Sequence, residues 1–302
     1  NGTLKTSTTF DYESNASTYT ITVQAKDELN ATTEGNFTVT LLDVYEDTDG
    51  DGFRDSLEAS TGSNLSDPMS TPLQQGLVAW YPFDGNASDM SGNGNHGTVN
   101  GASLGTDRYG VAGRAYSFDG VDDFIELDKY AYPVGDLTTI SFWANRDSQI
   151  ASQTTLIGAG NFFRVHLNWY AAVYFDYNNG SGSPNRSSYN QSTDDRGTWN
   201  LWCWTRNKTS NTLRIFLNGK LIKEDKSQIL KASGDPKNIE QIKIGSEPSG
   251  NWPWKGILDE LKIYDRALSV DEIDLLYYAE SPNHFVDSAK DLEMIWVEPG
   301  TF

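Results

Sequence analysis

The fold is decided by one stretch near the C-terminal end, Gly256-Ile-Leu-Asp-Glu-Leu-Lys-Ile-Tyr-Asp-Arg-Ala-Leu-Ser269. Its centre, Leu258-Asp-Glu-Leu-Lys-Ile263, carries a strand signal. Ser269-Val-Asp-Glu272 then has the spacing of a capping box, after which Ile273, Leu276 and Tyr277 fall on one face of a helix. The stretch therefore predicts a long strand that leads into one short helix.

Further strand signals lie upstream, separated by turns rich in Gly, Asn, Asp and Ser. Asn218-Gly219 between two of them predicts a two-residue hairpin. About a dozen short strands with such turns predict an all-β sandwich or barrel. The signals lie at 77–83, 115–118, 124–127, 138–143, 155–157, 162–167, 172–175, 201–204, 213–217 and 242–244.

The charge balance excludes several classes of partner. The 302 residues include 42 acidic and 23 basic side chains, for a net charge of −19. Such a chain is not suited to nucleic acid or to an anionic membrane surface. No apolar run of roughly 18 residues predicts a membrane span, and we expect any export signal to lie outside these residues. A single cysteine leaves packing or bound ions to provide stability, and calcium suits the many carboxylates.

Residues 76–279 resemble the LamG-like, concanavalin A-like jelly roll. The resemblance implies an all-β sandwich of two antiparallel sheets, one concave and one convex, with loops along the rims. It rests on the opening stretch together with Gly76-Leu-Val-Ala-Trp-Tyr-Pro-Phe83, Asp89-Met-Ser-Gly-Asn-Gly-Asn-His-Gly97, Phe118-Asp-Gly-Val-Asp-Asp-Phe-Ile125, Ile140-Ser-Phe-Trp143, Gly197-Thr-Trp199 and Ile215-Phe-Leu-Asn-Gly-Lys220.

The first 45 residues carry two strand signals with period two, at 19–25 and 36–42. Two strands alone are marginal in water, so we interpret them as part of a sandwich. Gly2-Thr-Leu-Lys-Thr, Phe10-Asp-Tyr-Glu13 and Val23-Gln-Ala-Lys-Asp27 resemble the second half of a cadherin-like repeat. The resemblance implies calcium ligands at Asp11, Glu13 and Asp27, and solvated acids on loop ends are the alternative.

Residues 46–75 form a predicted calcium-binding linker. Asp47-Thr-Asp-Gly-Asp-Gly-Phe-Arg-Asp-Ser-Leu-Glu58 fits the twelve-residue EF-hand loop, with a glycine at its sharp turn. The following residues, 59–68, resemble a thrombospondin type 3-like repeat, which adds one downstream acid. The predicted ligands are Asp47, Asp49, Asp51, the Phe53 carbonyl, Asp55, Glu58 and Asp67. An acidic flexible linker is the alternative.

The jelly roll offers a second candidate calcium site. Asp89, Asn93 and Asn95 lie in a glycine-rich loop, and the resemblance favours an ion that ties this loop to Asp259. Asp119, Asp122 and Asp123 form another acidic turn. For both groups the alternative is loop capping by Asx-type hydrogen bonds.

Sugar binding would require exposed aromatic rings, and six residues are candidates for a concave face or rim. Trp252-Pro-Trp254 stands out because it lies in a Gly/Ser/Asn-rich loop. Core or interface packing is the alternative for each. Trp143, Trp199 and Phe216 are instead assigned to packing, and the polar run 178–188 to a long loop. The candidates are Trp169, Tyr170, Tyr174, Tyr177, Trp252 and Trp254.

No arrangement of residues predicts catalysis. The nearest approach to a glycosidase pair, Glu126-Leu-Asp128, lacks a third acid, and Asp259 and Glu260 are expected on opposite faces of a strand. The three histidines are scattered, and no G-x-S-x-G is present. We therefore expect a non-enzymatic chain.

The last segment, 280–302, ends in Leu292-Glu-Met-Ile-Trp-Val-Glu-Pro-Gly-Thr-Phe302, which resembles the first strand of a formylglycine-generating-enzyme-like domain. We expect these residues to be part of a longer, extracellular or cell-surface bacterial protein that binds a polysaccharide or surface glycan and is stabilised by calcium. One alternative is a structural subunit of a fibre or surface layer, assembled with neighbouring copies by strand addition. A further alternative is an accessory domain of a larger secreted enzyme.

Overall fold

The protein is described from a computed structural model. Its described part forms two compact units, one before Pro72 and one that begins there. The structure describes residues 18–26, 28–40, 48, 53–67, 69–132, 135–148, 153–160, 163–169, 172–177, 185–190, 196–226 and 241–281.

The first unit contains an antiparallel hairpin of β1 (Thr18–Lys26) and β2 (Thr32–Thr40). Polar pairs line one face, where Thr22 Oγ1 donates to Asn36 Oδ1 at 2.7 Å. Val23 and Phe37, on the opposite face, are exposed. The short helix α1 (Asp55–Thr61) follows and ends at Gly62, whose φ of 82° suits a glycine. The predicted strand at 19–25 matches β1, whereas the one predicted at 36–42 covers only Asn36–Thr40 of β2, which begins four residues earlier; residues 41 and 42 lie outside the described part.

The second unit is a sandwich of two eight-stranded sheets. In sheet I the strand order is β16-β15-β14-β8-β18-β6-β5, with β3 paired to β18. Its strands are β3 (Leu77–Tyr81), β5 (Ser103–Thr106), β6 (Ala112–Asp119), β8 (Leu137–Arg146), β14 (Trp199–Asn207), β15 (Thr212–Leu217), β16 (Lys220–Asp225) and β18 (Lys255–Tyr264).

In sheet II the order is β13-β12-β11-β10-β17-β7-β4, with β9 paired to β11. The pairings within both sheets are antiparallel, so the predicted all-β jelly-roll sandwich is confirmed. The strands of sheet II are β4 (Thr98–Asn100), β7 (Phe124–Leu127), β9 (Gln153–Thr154), β10 (Ile157–Gly158), β11 (Phe163–Trp169), β12 (Ala172–Tyr177), β13 (Asn185–Asn190) and β17 (Ile242–Ile244).

The main hydrophobic core lies between the two sheets. Sheet I contributes alternate residues of β8 and β14, among them Phe142, Trp202 and Trp204. Sheet II contributes Val165 and Phe175, together with their inward-facing neighbours. Because successive side chains of a strand point to opposite faces, the residues between these belong to the outer faces of the sandwich.

The outer face of sheet I is covered by α2 (Val270–Glu280). Ile273 and Leu276 of the helix pack on Trp143, Cys203 and Phe216 of the sheet, and all five are buried. The predicted capping box is present, since Ser269 Oγ accepts from Glu272 N and the Glu272 carboxylate accepts from Ser269 N. The central strands β8 and β14 of sheet I are therefore buried on both faces.

Two local predictions had different outcomes. Asn218 and Gly219 form the two-residue turn between β15 and β16, with φ values of 50° and 79°. The predicted polar loop at 178–188 is wrong at its end, because Asn185–Asn190 is a strand that pairs with β12. Arg-Ser-Ser carries no apolar alternation, and the segment forms a strand through backbone pairing at the edge of sheet II.

Candidate functional site

The outer face of sheet II carries charged and aromatic side chains in matching register. Arg164, Asp176 and Arg186 lie directly opposite one another on β11, β12 and β13. His166 and Tyr174 form the next row on the same face. Trp252, from the loop that precedes β18, lies against this row with its ring centroid 6.4 Å from that of His166. We call these six residues the Trp252 face.

The Asp176 carboxylate is the centre of this face. It accepts hydrogen bonds from Arg186 Nε and from a terminal guanidinium nitrogen, both at 2.5 Å. His166 Nε2 lies 3.5 Å from the same carboxylate. Burial alone would raise the pKa of Asp176, but the hydrogen bonds from Arg186 and His166 outweigh it and hold the pKa below its ordinary value. Asp176 is therefore a buried anion fixed between two donors.

His166 connects the carboxylate to the neighbouring loop. Its ring is only 1% exposed, although it points away from the core. Its Nδ1 lies 3.1 Å from Thr155 Oγ1 and 3.1 Å from the Thr154 carbonyl oxygen. The Thr155 amide in turn donates to the Trp252 carbonyl at 2.8 Å. The polar chain thus joins the sheet to the loop that holds Trp252.

The partly exposed rings of Trp252 and Tyr174 are held by arginines. The Arg164 guanidinium carbon lies 5.8 Å from the Trp252 ring centroid, and Arg164 forms an ion pair with Glu247. The Arg186 guanidinium carbon lies 4.6 Å from the Tyr174 ring centroid. Two aromatic rings and two guanidinium groups are therefore presented together on a support of buried polar contacts.

The sequence predicted part of this site. Trp252 and Tyr174 lie on the face, while the Trp169 side chain and Tyr170 are outside what the structure describes. The ligand-binding prediction is wrong for Trp254 and Tyr177, which are buried in the core, 0% and 1% exposed. Trp254 packs edge-on against Phe118 at 5.8 Å, and the Arg206 guanidinium carbon lies 3.9 Å from the Tyr177 ring centroid.

Arg164, His166, Asp176 and Arg186 were not predicted. A signal does exist in the sequence for Arg164, His166 and Asp176, but not for Arg186, whose strand lacks apolar alternation. In Phe163-Arg-Val-His-Leu167 and Val173-Tyr-Phe-Asp-Tyr177, apolar residues alternate with polar ones, which places the polar ones on an outer face. Their meeting also depends on which strands pair, and the alternation of a single strand does not contain that information.

The predicted jelly-roll calcium site is not assembled as expected. Asp89 accepts from the backbone amides of Trp80, Ser91 and Asn95 at 2.9–3.0 Å, which is the Asx-type capping considered as the alternative. Burial opposes these hydrogen bonds, but they hold the pKa of Asp89 below its ordinary value. Asp259 instead forms an ion pair with Arg108 at 2.5 Å. The two carboxylates therefore have separate partners.

Asp259 belongs to a buried ionic network beneath the end of α2. Lys262 forms ion pairs with Glu260 at 2.6 Å and with Glu280. Burial raises the pKa of Asp259 to about 7, although Arg108 acts in the opposite direction. The network fixes the helix end to sheet I.

Asp119, Asp122 and Asp123 do lie together, with their carboxylate oxygens within 4.8 Å of one another. Within the turn, Asp123 Oδ2 accepts from Asp119 N at 2.9 Å, and Asp119 Oδ1 accepts from Val121 N at 2.8 Å. Burial raises the pKa of Asp123, and the neighbouring acids add to this effect. The hydrogen bonds are again those of a capped turn.

Of the calcium loop, the structure describes Thr48 and residues 53–58. Asp55 accepts from Thr48 N at 2.7 Å and from Thr48 Oγ1 at 2.5 Å, which closes the loop across seven residues. Glu58 is buried in α1, and Asp67 accepts from Met69 N at 3.1 Å. The calcium ligand set stays a prediction. The other predicted ligands, Asp47, Asp49, Asp51, Asp11, Glu13 and Asp27, lie outside the described residues.

The second unit is a β-sandwich in which α2 covers the outer face of sheet I, while the outer face of sheet II carries the six residues of the Trp252 face. A family model described as the concanavalin A-like lectin/glucanases superfamily matches residues 119–274. The chain belongs to that superfamily. No match was found among curated proteins. In the described part of the chain, neither helix has the length and hydropathy that crossing a bilayer requires.

Solved structures share the fold at low sequence identity. The receptor binding domain of botulinum neurotoxin C/D mosaic serotype is 12% identical, with a TM-score of 0.56 over 68% of this chain and 52% of that one. The binding domain of Paraclostridial Mosquitocidal Protein 1 is 18% identical, with a TM-score of 0.56 over 68% and 53%. This chain thus spans about half the length of these binding domains.

A third structure is a separate domain of an enzyme. Domain 4 of AbnA, a GH43 extracellular arabinanase from Geobacillus stearothermophilus, was solved in complex with arabinotriose. It is 20% identical to this chain, with a TM-score of 0.51, and the alignment covers 67% of this chain and 98% of that domain. At 12–20% identity, these similarities show a shared fold.

Proposed function

We propose that this chain is a carbohydrate-recognition module of a larger extracellular protein, and that it binds its glycan on the Trp252 face. The observation that carries the proposal is the pair of partly exposed rings, Trp252 and Tyr174, fixed by a buried network of arginine, histidine and aspartate. Rigid aromatic rings flanked by polar groups bind at low entropic cost, which favours recognition of a sugar with apolar and hydroxyl surfaces.

The arginines give this face its polar chemistry. Arg164 and Arg186 are partly exposed, and each is held by a carboxylate, from Glu247 and Asp176. Guanidinium groups fixed in this way can donate to hydroxyl or carboxylate oxygens of a sugar. Membership of the lectin and glucanase superfamily and the arabinotriose complex of a similar domain support this class of ligand.

Binding can be tested on a glycan array that includes arabinan fragments, followed by titration calorimetry with the best ligand. Trp252→Ala and Tyr174→Ala should each weaken binding by about tenfold or more, because each removes one stacking ring. Trp252→Tyr should retain most of the affinity. Tyr278→Ala is the matched control, since Tyr278 is an exposed tyrosine of α2. Binding that is unchanged in both alanine variants would refute the assignment of the glycan to this face.

We also propose that calcium binds to the segment 47–58 and stabilises it, and that the protein acts in adhesion. The support is the Asp55–Thr48 closure and the buried Glu58, together with the twelve-residue spacing. Calcium titration should show a site that is lost in the Asp49→Ala/Asp51→Ala double variant. The Asp119→Ala/Asp122→Ala double variant controls for the other acidic turn and should retain it. If the unmodified protein and the two double variants release the same heat on titration with calcium, the proposal is contradicted.

A structural role, in which neighbouring copies assemble through the hairpin, is favoured by one observation. The β1–β2 hairpin exposes Val23 and Phe37 on the same face, and two strands alone bury little surface. Sedimentation of the protein at increasing concentration tests this role. Assembly that is abolished by Phe37→Asp would support it, and a monomer at all concentrations would exclude pairing between copies.

A further inference from the structure

A polar cleft opens at the start of β3, on residues that the Trp252 face does not use. It has a volume of about 360 Å³ and is lined by 76–78, Asn93, Asn95, Tyr130 and Asp265. These residues come from the beginning of β3, the loop after it, a short 3₁₀ turn (Lys129–Ala131) and the residue after β18. The cleft is thus assembled from four separate parts of the second unit.

The two asparagines turn their acceptor oxygens away from β3. Asn93 Nδ2 donates to the carbonyls of Leu77 and Val78, both at 3.0 Å, and Asn95 Nδ2 donates to the Val78 carbonyl at 3.0 Å. Since these amide nitrogens are bound to backbone carbonyls, each Oδ1 is left for another donor. Asn95 is 7% exposed, and its backbone amide is fixed by Asp89 at 2.9 Å.

Asp265 supplies a third acceptor. Its carboxylate is exposed and makes no hydrogen bond or ion pair with the described residues. A Cβ at Gly76 would lie 2.5 Å from Asp265 Oδ1, and Gly76 has a φ of 71°. Only glycine therefore allows the carboxylate to approach the backbone at this point. Tyr130, at the rim, is 67% exposed.

We infer that this cleft is a second ligand site, which takes one or two rings of a polyhydroxylated sugar. Its side-chain oxygens accept hydrogen bonds and leave no free amide donor, so a ligand must bring donors, as sugar hydroxyls do. The volume lies at the lower end of ligand pockets, which limits the occupant to a short saccharide. The cleft is less suited to a divalent cation, because it offers a single carboxylate and an exposed aromatic ring, whereas such a cation prefers several oxygen ligands.

Saturation-transfer NMR with four probes tests the site: methyl glycosides of arabinose, glucose, galactose and mannose, each added to the whole chain. At least one should bind with a Kd in the millimolar range. Asp265→Asn and Tyr130→Ala should each weaken it about fivefold or more, since they remove a charged acceptor and a ring. Gly76→Ala should also weaken binding by displacing the Asp265 carboxylate. Asp84→Asn, at an exposed carboxylate, and Tyr278→Ala are the controls and should have no effect.

Three outcomes would overturn the inference. The first is no saturation transfer from any of the four probes at about 20 mM, well above a millimolar Kd. The second is binding that is lost in Trp252→Ala but kept in Asp265→Asn, which would assign the sugar to the Trp252 face alone. The third is calcium binding, measured by calorimetry, that Asp265→Asn abolishes while no sugar binds. Melting curves of Asp265→Asn, Tyr130→Ala and Gly76→Ala establish that each variant is folded.

Discussion

The outer faces of the two sheets differ in what they carry. Sheet I presents Trp143, Cys203 and Phe216 outward and buries them under α2. Sheet II presents the Trp252 face outward, and its aromatic rings remain partly exposed. Both sheets share one core, so their outer faces are the place where the two can differ in role. The helix-covered face is part of the packed interior, and the charged face is the one on which we propose that the glycan binds.

The difference is written into the strand sequences. In β14, Leu201-Trp-Cys-Trp204 is apolar at consecutive positions, as expected for a strand buried on both faces. In β11, Phe163-Arg-Val-His-Leu167 alternates between apolar and polar residues, as expected for a strand with one face free of the core. The continuous apolar run of β14 therefore belongs to the sheet that is covered by a helix, and the alternation in β11 belongs to the sheet whose outer face carries polar side chains.

The largest expected change is a loss of stability when the contact between α2 and the outer face of sheet I is weakened. Leu276→Ala leaves a cavity between α2 and sheet I, so we expect the free energy of unfolding to fall by about 2–5 kcal/mol. Chemical denaturation measures it, with Val270→Ala, at an exposed position of the same helix, as the control. Glycan binding should be unchanged under conditions where the variant is folded. An effect as small as that of Val270→Ala would mean that α2 does not cover sheet I in solution.

A second effect should appear in the pH dependence of stability, through Asp259 on the covered face. Its folded pKa of about 7 lies above the value near 4 of an unfolded aspartate. Folding therefore takes up a proton between these values, and stability falls as the pH rises from about 4 through about 7, by at most about 4 kcal/mol. In Asp259→Asn this fall should be clearly smaller, whereas Asp84→Asn should retain it in full. Parallel pH profiles of Asp259→Asn and the unmodified protein would contradict the raised pKa.

A smaller effect of opposite sign is expected on the charged face. The lowered pKa of Asp176 means that its ionised form stabilises the fold above about pH 4, and that this stabilisation is lost as the pH falls through the folded pKa. At neutral pH, Asp176→Asn should cost about 1–3 kcal/mol, because Arg186 and His166 lose a charged acceptor. The cost should shrink below about pH 4, and denaturation at several pH values measures it.

The control for this variant is a similar pair on sheet I. Arg214 and Glu224 also face each other on paired strands, with Arg214 Nε 2.7 Å from the carboxylate, but the Glu224 side chain is 28% exposed whereas that of Asp176 is 3% exposed. Glu224→Gln should therefore cost much less than Asp176→Asn. Equal costs would show that burial does not distinguish the two faces.

Features with local signals could be predicted from the sequence. The helix after Ser269 and the turn at Asn218 were predictable because a capping box and an Asn-Gly pair act within a few residues. The burial of Trp254 was not predictable, since a turn-rich loop gives no indication that its tryptophan enters the core beside Phe118. The same holds for Asp265, which reaches the cleft only because β18 ends beside Gly76.

The end of α2 has a mechanical consequence. The Glu280 side chain is bound by Lys262 and by Trp143 Nε1, the latter at 2.8 Å. Its carbonyl accepts from Arg108 Nε at 2.7 Å and from the Tyr109 hydroxyl at 2.8 Å. A pulling force on the chain after Ser281 must break these four contacts together before α2 can unwind from its C-terminal end. Glu280 therefore transmits a pulling force from the end of α2 to Trp143 and Lys262, on the central strands β8 and β18 of sheet I.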